Sequence, residues 1–133
     1  MLQRDAVLAR GRASAEAGMT DTCRIERATG EQIRDDFSGT VTDQYAPLYE
    51  GRCRWQQPDV QAQSDDVGED FQLQQRQQLQ LPMDGTAGLQ VGDRVTALTS
   101  RDPDLPGRTF LVRGLAHKSD ATARRLTVTE RTD

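Results

Sequence analysis

A chain of 133 residues with 35% hydrophobic and 5% aromatic side chains has the length of one domain, residues 1–133, whose thin core must be filled with few aromatics. Its net charge of −4 is uneven, +1 over residues 1–34, −8 over 35–93 and +3 over 94–133, which argues against a general nucleic-acid binder, whose affinity needs many cations set against phosphates. No apolar run approaches the roughly 20 residues that cross a bilayer, and the charged start MLQRDAVLARGR lacks an apolar signal segment, so the chain reads as soluble and cytosolic when made.

Leu2 to Met19, rich in Ala, Leu and Arg and free of Pro, predicts an N-terminal α-helix over residues 1–19 that stops near Gly18. Its apolar stripe would be Leu2, Ala6, Ala9, Ala13 and Ala17, with Val7 and Leu8 beside it. So weak a stripe gains little from its own domain and suits docking on another subunit. From Thr20 the period becomes two. Cys23 and Ile25 share one face of a strand that Thr29-Gly30 ends. Residues 31–46 read as turns around a short strand at Thr40–Thr42, and Leu48–Trp55 is a second strand with Tyr49, Cys53 and Trp55 on its inner face.

Residues 56–70 hold Pro58, Gly68 and five acidic groups with almost nothing to bury, and predict a long acidic loop. Phe71–Leu81 alternates Phe71, Leu73, Leu79 and Leu81, with Gln75 and Gln77 interrupting the apolar face, as if the strand leaves the core midway. Val91–Leu98, Thr109–Ala116 and Arg124–Glu130 complete the pattern, separated by turns at Pro82–Gly88, at Asp102–Gly107 and at Lys118–Asp120. The expected fold is mainly β: a small barrel or sandwich of six or seven strands over residues 20–133, preceded by the helix. Its predicted core is Cys23, Ile25, Tyr49, Cys53, Trp55, Val95, Phe110, Val112, Leu126 and Val128.

Chemistry-bearing patterns are sparse. The lone histidine, His117, has no nucleophile spaced beside it. Cys23 and Cys53 lack the paired spacing of a zinc site and read as reduced, buried thiols. Asp65, Asp66, Glu69 and Asp70 do not follow the order of a calcium loop, and the glycines do not form a phosphate-binding turn. Trp55 and Phe110 read as core before they read as base-stacking platforms. The expectation is no catalysis, no metal and no cofactor.

The pieces LARGRASAEAGMTDTCRIER, YEGRCRWQ, LQLPMDG, VGDRVTALTSRDPDLPGRTFLVRGLAHKS and TARRLTVTE, taken in order, resemble the small head-to-tail joining proteins of long-tailed bacteriophages, especially an actinobacteriophage group. The resemblance implies a β-barrel that forms a homo-oligomeric ring, six- or twelve-fold, below the portal or its helical adaptor. This ring would be a stopper that retains packaged DNA and meets the tail terminator or tail tube. The helix residues Arg4, Val7, Leu8 and Arg12 would contact the adaptor or portal. Asp65, Asp66, Glu69 and Asp70 would form a lumenal gating loop. DNA would lie in the channel without sequence-specific binding, no membrane would be involved, and the protein would reside in the virion neck after assembly in the host cytoplasm. Competing readings are a tail terminator or tail-completion ring, and a nucleic-acid-binding β-barrel in which a ring gathers Arg113, Arg124 and Arg125 into a basic collar.

Overall fold

A computed structural model of the chain describes residues 2–57 and 76–131. Helix α1 (Leu2–Ala17) precedes six strands: β1 (Asp21–Arg34), β2 (Val41–Gln56), β3 (Arg76–Leu81), β4 (Arg94–Thr99), β5 (Thr109–Ala116) and β6 (Arg124–Glu130). All pairings are antiparallel, in the order β1-β2-β3-β6-β5-β4, and β4 pairs back onto β1 so that the sheet closes on itself. Closure removes the free edges that an open sheet of this size would expose. The acidic stretch Asp65, Asp66, Glu69 and Asp70, together with Phe71 and Leu73, lies outside the described residues.

The interior is filled by the residues that alternate inward on each strand. Cys23, Ile25, Cys53, Leu79, Leu81, Val95, Phe110, Val112, Leu126 and Val128 are buried, while Tyr49 and Trp55 are half-buried and pack against them. Trp55 and Phe110 meet with ring centroids 4.4 Å apart and planes tilted by 37°. The hydrogen bond to Cys53, together with burial, pushes the Cys23 thiol well above the usual thiol range, and both cysteines are free and buried in the core. Gln80 is buried too. Its amide meets that of Gln56 at 2.6 Å as a polar pair between β2 and β3. Burial along β3 rises from an exposed Arg76 through half-buried Gln77 and Gln78 to buried Leu79, Gln80 and Leu81, while Gln75 lies outside the described residues.

Tyr49 shows how tightly one corner is fitted. Its hydroxyl donates to the Arg52 carbonyl at 2.7 Å, and its ring lies over Gly51, where a Cβ would stand 2.8 Å from the phenol oxygen. Burial pushes this phenol up to about 12. An unfolded tyrosine ionises near pH 10. The stability Tyr49 contributes is therefore whole below about pH 10 and is lost as pH rises towards 12. Phenolate absorbance of a Tyr45→Phe variant is expected to rise about two pH units late in the native state; a native titration near 10 would refute the fitted corner.

Two sequence expectations need correction. Thr29-Gly30 does not end the first strand. Gly30 takes φ of +88° inside an irregularity between Ala28 and Gln32, after which β1 resumes and pairs Gln32 with Asp43, Ile33 with Thr42 and Arg34 with Val41. Residues 31–46 are thus the upper part of one long hairpin, and Thr40–Thr42 opens into β2 rather than forming a strand of its own. The second correction concerns the helix. Ala6, Ala9, Ala13 and Ala17 are exposed, whereas Leu8, Gly11, Arg12, Ala15 and Glu16 are half-buried. Gly11 is the reason: it passes so close to Thr122 that a Cβ would approach the Thr122 methyl at 2.9 Å, which turns that face, and not the alanine stripe, towards the β5–β6 link.

Candidate interaction surface

The long β1–β2 hairpin stands out from the closed sheet. The last rung that β1 shares with β4 is Glu26 with Arg94, so beyond it β1 and β2 pair only with each other. From Thr29 to Gln44 nearly every residue is exposed, and the arm carries Ile33, Val41 and, at its tip, a Phe37 whose whole side chain lies bare. The tip is well built for so exposed a place. Asp35 N–H donates to the Thr40 carbonyl at 2.9 Å, Gly39 N–H donates to the Asp35 carbonyl at 2.8 Å, and Gly39 supplies φ of +72°. The Phe37 N–H donates to the Asp35 carboxylate, which with the Ser38 hydroxyl holds that carboxyl below its ordinary range. Residues opposite each other share a face, so Ile33 and Thr42 lie on one side of the ribbon and Arg34 and Val41 on the other.

Where the arm leaves the sheet there is a notch of about 490 Å³, lined by Val41, Asp43, Tyr45, Arg94, Arg108 and Glu130 among others. The Arg94 guanidinium lies 3.4 Å from the centroid of the Tyr45 ring and donates to Glu26 at 3.0 Å. Arg108 donates to Glu130 at 2.7 Å. The base of the arm is anchored by Arg27, which grips both oxygens of the buried Asp93 at 2.8 and 3.0 Å and the Gly88 carbonyl at 2.9 Å.

A second groove, about 470 Å³, lies along α1 and is lined by Leu8, Ala9, Ala13, Asp5, Glu16 and Asp84 among others. Of the helix residues expected to meet a partner, Val7 and Arg4 stay exposed, Arg4 with an ion pair to Asp120, whereas Arg12 donates to the Ala121 carbonyl at 3.1 Å and Leu8 is half-buried, so these last two serve the chain's own packing. His117 is exposed, Arg113 is held by Thr129 and Arg124 by Thr86. Among the described residues no three His, Cys, Asp or Glu side chains gather as a metal-sized group. No helix of the described residues is long and apolar enough to cross a membrane.

The stretch that carries the closed sheet and its arm also carries the family likeness. A model described as a family of unknown function (DUF6093) matches residues 11–129. The chain belongs to the DUF6093 family. No curated protein matches this DUF6093 chain. Among solved structures it is similar to the solution structure of protein SF1141 from Shigella flexneri 2a, with a TM-score of 0.53 and 13% identity, over 84% of this chain and 92% of that chain. At such identity the likeness is one of fold.

Reading the sequence missed Phe37, Ile33, Tyr45 and Arg94 as surface-forming residues of this DUF6093 protein. The signal was present in Gln32-Ile33-Arg34 and Val41-Thr42-Asp43 flanking an Asp-Asp-Phe-Ser-Gly turn: two short β-prone runs about a turn centre, each with one apolar residue that has no apolar neighbour to join.

Proposed function

We propose that this chain is a structural protein of the phage neck, a stopper whose copies form a ring between the portal or its adaptor and the tail, retain packaged DNA and offer the tail a docking surface. The observation that carries the reading is that a small closed sheet leaves two surfaces uncovered, the arm with its bare Phe37 and the outer side of α1 with Val7. Exposed apolar side chains on protruding elements are what a subunit with neighbours beside and above it needs. The ordered sequence resemblance to head-to-tail joining proteins supplies the rest. In this reading the β-barrel is a rigid ring segment that works without catalysis, metal or cofactor. Asp65, Asp66, Glu69 and Asp70, which lie outside the described residues, would supply the negative charge that repels DNA phosphates at close range. The protein resides in the virion neck and assembles in the host cytoplasm.

The test is electron microscopy of lysates from a phage lacking this gene, scoring head DNA beside tail attachment. The expected result is separate, complete tails together with tail-less heads that have lost their DNA. Normal virions would overturn the proposal. Full heads beside unfinished tails would move the chain to the tail-completion role.

A further inference from the structure

We infer that the β1–β2 arm of one copy docks in the notch of a second copy, with Phe37 as the anchor and Ile33 beside it. The inference rests on the ring-forming part of the reading above and is independent of where in a virion such a ring sits.

The two sides of the contact are present on each chain and do not overlap. Val41, Thr42, Asp43 and Tyr45 line the chain's own notch from the β2 strand of the arm, while Ile33 on β1 and Phe37 at the tip take no part in that lining. A copy therefore offers its tip and the β1 strand of its arm to one neighbour and its notch to another. Charge selects the notch over the groove along α1. The tip carries Asp35 and Asp36; the notch sets Arg94, Arg108 and Arg131 against Asp43 and Glu130, a net positive lining, whereas the groove along α1 sets Asp5, Glu16 and Asp84 against the single Arg12 and would repel the same tip. Asp35 is engaged with its own turn, which leaves Asp36 as the carboxylate that faces the neighbour's arginines. The notch, at about 490 Å³, has room for an aromatic ring, and the Tyr45 ring already stacked under Arg94 gives that ring an aromatic wall. An arm of two strands with both outer edges unpaired is marginal in water by itself, so a neighbour seated against it stabilises the arm as well as the contact. Because donor and acceptor surfaces differ, the contact is heterologous: it closes into a ring or runs on as an open chain of copies.

The experiment uses the full-length protein with p-benzoylphenylalanine at position 37, cross-linked by light and mapped by mass spectrometry, alongside sedimentation of wild type and Phe37→Ser. The proposal expects concentration-dependent self-association of the wild type, cross-links from position 37 to residues 107–109 or 130–131 of another copy, and association about tenfold weaker or worse in Phe37→Ser, whose fold is unchanged because the side chain is exposed. Asp36→Lys is expected to weaken association in the same direction, more at low salt than at high. Cross-links to α1 or only within one chain would overturn the arm contact, as would unaltered association of Phe37→Ser or a wild type monomeric up to its solubility limit. Self-association through another surface leaves the ring reading standing while the arm contact fails, and normal virions in the gene-deleted phage remove the neck reading while the arm contact stands.

Discussion

Phe110→Ala is expected to cost about 3–5 kcal/mol of unfolding free energy, the range for deleting a fully buried aromatic side chain. Phe110 has no exposed surface, pairs with Val95 on one side and Glu130 on the other, and stacks against Trp55. Among the described residues the other phenylalanine, Phe37, is bare on the arm and is not placed to fill the void. The remaining lining is made of branched aliphatic side chains and two thiols on strands of a closed sheet, which cannot slide together without breaking ladder hydrogen bonds. Since domains of this size are stable by about 5–15 kcal/mol, the variant is expected to lose a large share of its stability. Urea unfolding followed by fluorescence of the single tryptophan measures it. A lower midpoint at unchanged slope is the expected result, and a loss under about 1 kcal/mol would mean that Phe110 is not the centre of the core.

The second large effect is expected at Asp93. This carboxylate is 2% exposed, accepts two hydrogen bonds from Arg27 and a third from the Gln90 N–H at 2.8 Å, and so ties β1 to the turn that precedes β4. Asp93→Ala strands the Gln90 N–H and removes the partner of the arginine, at a cost of about 2–4 kcal/mol. Asp93→Asn keeps the shape and one acceptor oxygen and is expected to cost less. A cost equal to that of an exposed ion pair, under about 1 kcal/mol, would refute the assignment. The change is also expected to be felt locally. Arg27 is the residue at which the arm departs from the closed sheet, so amide hydrogen exchange between Ala28 and Ala46 is expected to quicken in Asp93→Ala more than exchange in β5 and β6.

What could be read from the sequence follows from which residues have one buried face. β5 and β6 occupy the spans their alternation predicted, because Phe110 and Val112, and Leu126 and Val128, point inward while their neighbours point out. The candidate core was legible for the same reason. The arm was not, because both its faces meet solvent, and a strand with no buried face has no alternation to read. Helix α1 was legible as a helix from propensity, but its inner face was not: apolar periodicity pointed to alanines, and the deciding feature was the absence of a Cβ at Gly11 beside Thr122. At the candidate site the sequence pointed to the exposed Arg4 and Val7 and also to Leu8 and Arg12, which the fold uses for its own packing, and passed over Phe37, whose isolation among polar residues makes it unusual.

The closing pairs of the sheet set the order in which a newly made chain can complete itself. β1 and β2 are joined through a tight turn and can zip soon after both have been synthesised, whereas β1 meets β4 through residues separated by about seventy positions. At bacterial elongation rates β4 leaves the peptidyl-transferase centre roughly five to twenty seconds after translation begins. For much of that time the first hairpin exists as a ribbon with Cys23, Ile25 and Cys53 on an uncovered inner face and the β1 edge awaiting its partner. An unpaired edge beside an uncovered apolar face is where two unfinished chains can exchange hairpins, so closure by β4 is the step that separates one chain from its neighbour.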